Sequence, residues 1–494
     1  MKTFKYTYLL IVGLVCSCLF SCQLAEDLDD YKPLNALDAN EAIVNETTAD
    51  LALSGVYAGF HQQNGGSGIP EIYTIPSLMS GSLVNTFLIN LDEVQGFVKN
   101  SPVPVNTSQN LGAYTRMYAV INRANWLIEK ATALSDENFP TPGRRKEIIA
   151  EAKMLRATAH FYLLRLWGQF YDLDSKYGIT VRTEPSRSGN ALPRNTVQES
   201  YDIITEDLDY AIDYAPDIRA KYYTNRSYAR GLKARVLLYQ GKYAEAAALA
   251  KELMNTSGSE FQLADTYGEI FLDHSTPDLF DSAEVVFGTK GDPVAGVGIG
   301  NVIGTLFAVS PSYISLETTT AKIGSQTIIR GGNRITTTIM EGFFGFDSLK
   351  SNFNFNPPSN RYEMVYHLRM AEVYLIYAEA EARAQNAVTP AALEALNEIR
   401  LRAGATTTGG DGFETYPTSI NLSQFLEAVR VEKRIELGIE IGEDWFDLVR
   451  YHFVDGFDVS TVKPTATNPD KFILPIDYVT IEAGKNVVEQ NPNY

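Results

Sequence analysis

Apolar residues recur at three- and four-residue steps along several long stretches of the chain, and these stretches set its architecture. Between Arg361 and Gly404 two stripes run side by side: Leu368, Ala371, Leu375, Ala378 and Ala382 form one, and Tyr366, Met370, Val373 and Tyr377 the other. Two adjacent stripes on one helix imply burial on more than one side. Thr389 followed by Pro390 reads as an N-cap with proline in the first turn. Ala392, Leu396, Ile399 and Ala403 then give a second helix its face, and Gly404 gives it a stop. The pattern predicts an antiparallel helix pair with alanine-rich contacts. A second pair lies upstream: Ala229, Leu232, Val236 and Tyr239, a turn at Gly241-Lys242-Tyr243, then Ala246, Leu249, Ala250 and Leu253.

In that upstream pair the order Ala234, Gly241, Tyr243, Ala246 resembles a tetratricopeptide repeat; a generic helical hairpin is the alternative. The same periodicity predicts helices over 41–60, 111–133, 144–168 and 425–437. Thr196 with Glu199 reads as a capping box opening another helix, which stops at Pro216. Residues 61–110 lose the pattern and read as loops with short helices. Residues 257–360 are irregular and rich in Gly, Thr, Pro and Asn, with β-like runs at Val285–Gly288 and Gln326–Ile329. Residues 405–420 read as a loop, and the tail from Val462 as extended, with Phe472–Ile476 an edge strand or pinned segment. The fold class is therefore mostly α: a tetratricopeptide-like helical scaffold with long irregular insertions and a few short strands. Residues 41–494 read as one domain, with helical halves at 41–256 and 361–494 around an insert at 257–360. A hundred residues without helical period, inside a helical protein, mark where binding residues collect.

Composition narrows the partners. The chain has 494 residues, 45% hydrophobic and 21% charged, with a formal net charge of −18. That balance argues against nucleic acid, which needs a basic partner, and against a polybasic membrane patch. The N-terminus has Lys2 and Lys5, an apolar run from Tyr8 to Phe20 too short to span a bilayer, and Leu19-Phe20-Ser21-Cys22. This resembles a bacterial lipoprotein signal over residues 1–21, with Cys22 as the acylated N-terminus of the mature chain; a plain secretory signal is the alternative. Cys18 is a weaker acceptor, since no leucine stands three residues before it. The three cysteines lie at 16, 18 and 22, so cleavage leaves no disulfide and no free thiol. Residues 22–40 read as an acylated acidic tether. Its Glu26-Asp27-Leu28-Asp29-Asp30 run reads either as an export signal or as a solvated leader. With no other apolar run of membrane length, attachment is expected through lipid alone.

Several segments together resemble the SusD/RagB family of nutrient-binding outer-membrane lipoproteins of Bacteroidetes. They are AEAKMLRATAHFYLLRLWG (150–168), LPRNTVQESYDIITEDLDYAIDYAP (192–216), RMAEVYLIYAEAEARA (369–384), LNEIRLRAGA (396–405), VEKRIELGIEIGEDWFDLVRY (431–451) and ILPIDYVTIEAGKNVVEQNPNY (473–494). Two positions depart from the pattern. Asp444 stands where a basic residue usually precedes Trp445-Phe446-Asp447, and Asn493 stands where glycine is commoner before the final Tyr494. The resemblance implies a surface receptor without catalytic activity, which captures an oligosaccharide, or in some members a peptide, and delivers it to a SusC-like TonB-dependent transporter that it covers as a lid. It places the transporter contact on the repeat helices and the ligand surface on the irregular segments.

Sugar receptors stack pyranose faces on aromatic rings. Trp126, Trp167 and Trp445 all lie in helical stretches and read as core, so stacking falls to Tyr73, Phe87, Phe97, Tyr313, Phe343, Phe344 and Phe346. Polar partners are Asn85, Asp92, Gln95, Asn301, Arg330, Asn333 and Arg334, whose amides and guanidinium groups suit paired hydroxyls or a carboxylate. Gly331-Gly332 between the two arginines suggests an exposed turn. For each of these the plain alternative is packing or a solvated loop. Enzyme signals are poor. The five histidines have no metal spacing, no P-loop or nucleophile elbow occurs, and Glu440 with Glu443 is a weak acid pair inside a packing motif. No twelve-residue calcium loop is present. No cofactor is expected beyond the lipid on Cys22.

Overall fold

The structure is a computed structural model that describes residues 42–60, 69–87, 91–104, 109–187, 191–217, 219–256, 260–271, 282–290, 306–341, 345–348, 350, 364–407 and 412–494. Cys22, Asn301, Phe343 and Phe344 lie outside them, as do the signal and the tether. The helical stretches predicted from periodicity are helices. They are α1 (Glu46–Tyr57), α2 (Ile69–Ser80), α3 (Asp92–Val98), α4 (Gln109–Ala133), α5 (Arg144–Trp167), α6 (Val197–Tyr214), α7 (Arg226–Tyr239) and α8 (Tyr243–Thr256) in the first half. The insert carries two one-turn helices, α9 (Pro311–Ile314) and α10 (Arg334–Thr337). The second half carries α11 (Met370–Gln385), α12 (Pro390–Arg402), α13 (Leu422–Leu437), α14 (Glu443–Asp455) and α15 (Tyr478–Ala483).

Local chemistry fixes the boundaries. The capping box of α6 is made in both directions: Glu199 N donates to Thr196 Oγ1 at 3.1 Å and Thr196 N to Glu199 Oε2 at 2.8 Å. Thr389 Oγ1 accepts from Ala392 N at 3.1 Å and opens α12. Gly241, at φ +72°, makes the turn between α7 and α8, which only a residue without Cβ adopts cheaply. Helices adjacent in sequence pack on one another: α4 on α5, α5 on α6, α7 on α8, and α11 on α12. Contact between α8 and α11 joins the two halves. The result is a tetratricopeptide-like scaffold with a main apolar core running from Ile43 to Val488 and a small second cluster of Tyr267, Ile270, Phe271, Val285 and Tyr366. The central helix α5 is buried on every side from Ile148 to Trp167 except at Lys153.

Four short two-stranded sheets complete the fold. They pair β1 (Leu83–Asn85) with β3 (Phe307–Val309), β2 (Val285–Lys290) with β8 (Met364–Arg369), β4 (Thr320–Ile323) with β5 (Gln326–Ile329), and β6 (Ile339–Glu341) with β7 (Phe346–Ser348), all antiparallel. Strand β8 corrects the sequence reading. Tyr366 and Leu368 belong to it rather than to the following helix, because they pair with Gly288 and Phe287. Among the short helices expected between 61 and 110, α2 runs to twelve residues with Pro76 inside it. Trp167 and Trp445 are core, but Trp126 is half-buried, with the Arg187 guanidinium 4.6 Å and the Lys130 ammonium 5.7 Å from its ring. The tail is pinned rather than paired as a strand. Leu474 N donates to Leu166 O at 2.7 Å, and the Asn491 amide donates to Trp167 O at 2.9 Å and Leu474 O at 2.7 Å. Asn493 takes the left-handed φ of +63°, which asparagine tolerates better than most residues, so the missing glycine is replaced without loss of the turn.

Candidate functional site

The second half of the scaffold is held by buried ions, and these decide the fate of several candidate residues. Arg369, at the end of β8, reaches Glu284, Glu436 at 3.1 Å and Glu440 at 2.7 Å. Arg334 pairs with Glu432 at 2.5 Å and Glu436 at 3.2 Å, and donates to the carbonyls of Arg330 and Gly331. Arg330 bonds Glu427 at 2.6 Å. The Gly331-Gly332 turn is therefore packed, not exposed. A Cβ on Gly331 would stand 2.1 Å from Glu317 Cα, and one on Gly332 2.1 Å from the Phe413 ring. Arg330 and Arg334 are structural ions, because charges this deep persist only when paired. Asn333, at φ +65°, is exposed at the head of α10.

Two aromatic candidates are likewise core. Tyr73 is 3% exposed and meets the edges of Tyr162 and His367. Tyr313 is 2% exposed, with its hydroxyl donating to the Arg434 and Ile435 carbonyls at 3.1 and 3.2 Å. Phe97 is also inside: with Val94 it fastens α3 to the core. Periodicity does not separate such residues from surface aromatics in a stretch that lacks a clear helical face.

Of the remaining candidates, Asn85, Phe87, Asp92, Gln95 and Phe346 lie on or next to β1, α3 and β7, which contact one another in series through β3; Asn333 lies at the head of α10. Strand β1 pairs with β3 in the register Leu83 to Val309 and Asn85 to Phe307, and Thr86 N extends the ladder to Leu306 O at 2.8 Å. Burial falls off along the strand: Leu83 is buried, and Val84 and Asn85 are half-buried. Phe87 then emerges 80% exposed. Leu91, 54% exposed, precedes α3, whose inward residues are Val94 and Phe97 and whose outward ones include Asp92 and Gln95. Asp92 in the first turn also suits the helix dipole. Strand β7 packs on β3 from the other side and carries Phe346, 40% exposed. One corner of the molecule thus carries Phe87 and Phe346, both exposed, on or next to contacting elements that also hold Asn85, Asp92 and Gln95. This suits stacking and hydrogen bonding to a polyhydroxylated ligand. Nothing in the sequence singles out Leu91.

The approach to this corner is set by residues that sequence reasoning does not place there. The hydroxyls of Ser80 (2.7 Å) and Ser82 both donate to Asp444 Oδ2. Burial pushes the Asp444 carboxyl up, against the pull of the two serines and of Arg434. Arg434 Nη2 donates to Ser80 O at 3.1 Å, and Asn100 to Met79 O at 2.9 Å.

Two cavities lie elsewhere. One of about 480 Å³ is lined by Asp50, Tyr57, Arg144, Glu147, Arg219 and Tyr223, and one of about 450 Å³ by Tyr114, Tyr118, Arg182, Leu192, Val479 and Val488. Neither includes a candidate ligand residue. The acid pair Glu440 and Glu443 is engaged in buried ion pairs. Glu440 is bound to Arg369, and Glu443 accepts from Arg165 and from the Tyr239 hydroxyl at 2.8 Å. Burial opposes ionisation of Glu443, but the Arg165 and Arg235 charges outweigh it and hold its pKa at about 2, far too low for a general acid at neutral pH. Among the described residues no group of three or more His, Cys, Asp or Glu is placed to hold a metal ion. No described helix is long and apolar enough to cross a membrane.

A helical-repeat scaffold with surface strands and an open aromatic corner defines the class, and comparison with known proteins narrows it. A profile described as "SusD family" matches residues 348–494, and one described as "Starch-binding associating with outer membrane" matches residues 41–238. A SusD-like protein of Bacteroides ovatus is 22% identical over 392 residues, covering 69% of this chain and 65% of that protein's own length, so the chain spans just under two thirds of that relative. Among solved structures, a putative sugar binding protein from Bacteroides vulgatus superposes with a TM-score of 0.71 at 20% identity, over 92% of this chain and 99% of that one. A laminarin binding SusD-like protein gives 0.69 at 21% identity, over 92% and 100%. The chain belongs to the SusD-like family.

Proposed function

We propose that the protein is a cell-surface glycan-binding lipoprotein that captures oligosaccharides and delivers them to a partner TonB-dependent outer-membrane transporter. The observation that carries this is the exposed Phe87 ring, two residues beyond Asn85 at the end of a strand that contacts the helix bearing Asp92 and Gln95, on a scaffold whose other candidate aromatics are largely packed away. The flat face of a pyranose covers such a ring while its hydroxyls meet the amides and carboxylate. The family description as starch-binding and outer-membrane-associated supports the reading, as does the laminarin-binding relative. Acylation at Cys22 anchors the chain, and the acidic tether holds the domain away from the bilayer. The scaffold performs no reaction; it binds and releases.

The test is a thermal-shift screen of soluble residues 23–494 against starch, laminarin and other plant, host and microbial glycans, with oligopeptides alongside. A ligand at 100 times its Kd stabilises by about 2.7 kcal/mol. A shift with one glycan class and no hydrolysis products supports the receptor. A shift with peptides alone overturns the glycan assignment in favour of a peptide receptor on the same scaffold. Co-purification with a barrel transporter, lost on removal of the protein's surface anchor, tests delivery.

A further inference from the structure

The corner that carries Phe87 hangs on a short piece of chain. Helix α2 ends at Ser80, Gly81 turns at φ +78°, and β1 begins at Leu83. Three residues of strand then deliver Asn85 and its neighbours to the surface. A strand of three residues has few ladder bonds of its own, so its direction depends on what fixes the turn before it. That turn is gripped by a carboxylate from far along the chain: Asp444, in the first turn of α14, takes both the Ser80 and the Ser82 hydroxyls on Oδ2. Arg434 holds the Ser80 carbonyl, and Ser310 N closes the far side by donating to Ser82 O at 2.9 Å. Asp444 is 2% exposed, and its second oxygen, Oδ1, has no hydrogen-bond partner. Placing a carboxylate here is costly, and pure packing of α14 against α2 needs no charge at all. The two hydroxyls that donate to it both belong to the turn, so the turn is what the carboxylate orders.

We propose that Asp444 is a positioning residue for ligand capture: by clamping Ser80 and Ser82 it orders the turn and sets the line along which β1 presents Asn85 and Phe87. The inference rests on the glycan-receptor reading for the use of that corner, but not for the clamp itself. The clamp makes the local order of residues 83–87 depend on a carboxylate in the helical scaffold.

The experiment measures amide hydrogen exchange of the full chain by mass spectrometry, and binding of laminarihexaose and maltohexaose, in wild type, Asp444→Ala, Asp444→Asn, a Ser80→Ala/Ser82→Ala double variant and Phe87→Ala. In Asp444→Ala, peptides covering 83–87 and 306–310 should exchange about tenfold faster or more, while those in α5 and α11 stay as in wild type. Asp444→Asn keeps one carbonyl acceptor for the serines, so that variant should recover part of the protection. The serine double variant should reproduce Asp444→Ala and serves if that protein does not fold. Glycan affinity should fall about tenfold in both. Unchanged exchange at 83–87, or a rise spread evenly over α2 and α14, would overturn the clamp whatever the binding results. Wild-type affinity in Phe87→Ala would instead overturn the placement of the ligand at this corner, while exchange still decides whether Asp444 orders the strand.

Discussion

Substitution of Glu443 by Gln tests the buried ionic core most sharply. Glu443 is the first residue of α14 and about 3% exposed at its side chain. Its carboxylate takes Arg165 and the Tyr239 hydroxyl, with Arg235 a further 3.7 Å away. Arg165 is otherwise held by ring faces, those of Phe161 and Phe446 both at 4.3 Å. Glutamine keeps the shape and one acceptor but removes the charge, so Arg165 becomes a buried cation without its counter-ion. That costs about 3–5 kcal/mol, a large share of the roughly 5–15 kcal/mol by which domains are stable. The pKa leads to a similar figure. Glu443 falls from an ordinary 4.5 to about 2, and each unit is worth about 1.4 kcal/mol, giving roughly 3 kcal/mol. Because the folded pKa is depressed, this stability is present above pH 4.5 and is lost as the pH falls toward 2. Guanidinium melts of wild type and Glu443→Gln at pH 7, 4 and 3 check both statements. The gap in unfolding free energy should be about 3 kcal/mol or more at pH 7 and should narrow to roughly half by pH 3. A gap under about 1 kcal/mol at pH 7, or one that does not narrow in acid, would refute the claim that this pair carries its charge inside the fold.

Three further outcomes follow from the geometry. Phe87→Ala should weaken glycan binding about tenfold, on the order of 1–1.5 kcal/mol for one stacked ring, with Tm unchanged; a calorimetric titration reads the first and a melting scan the second. Gly332→Ala puts a Cβ 2.1 Å from the Phe413 ring at a φ of +62°, and should destabilise by about 2–4 kcal/mol, seen as a lower denaturation midpoint. Cys22→Ser should move the protein from the membrane fraction to the soluble fraction of cells without altering glycan affinity, measured by fractionation and pull-down.

The scaffold is legible in the sequence because its signals are local. Thr196 and Glu199 stand three residues apart, Thr389 precedes Pro390, and the alanine-rich stripes of α7, α8, α11 and α12 repeat at helical spacing, so no distant contact is needed to recognise them. The site is harder because it is made by distant pairings. Tyr73 and Phe87 look alike in a stretch without a helical face. What separates them is that Tyr73 faces Tyr162 and His367, whereas Phe87 follows a strand whose partner lies on the far side of the first helical half. Arg330 and Arg334 flank a glycine pair, which locally means an exposed turn; their partners on α13 reverse that meaning. Tyr366 and Leu368 fit a helical stripe until β2 is seen to claim them. Asp444 stands out in the sequence as an acid where a base is expected, yet only the two serines on the α2 side explain why an acid serves there.

The pinned tail has a consequence for how the protein is made. The carbonyl of Trp167, at the end of the most enclosed helix, is shared by Arg194 and by an asparagine 324 residues downstream, and Leu166 is held by a residue almost as distant. At roughly 5–20 residues per second, that partner leaves the ribosome about 15–65 s after the helix it completes. For this interval Arg194, whose guanidinium donates to Trp167 O at 2.9 Å, covers the end of α5 without the tail. The first helices can form in order, but the seal on them is laid last. A chain cut short before Leu474 therefore keeps Arg194 on its innermost helix end but loses both tail contacts, so the last turn of α5 separates finished molecules from unfinished ones.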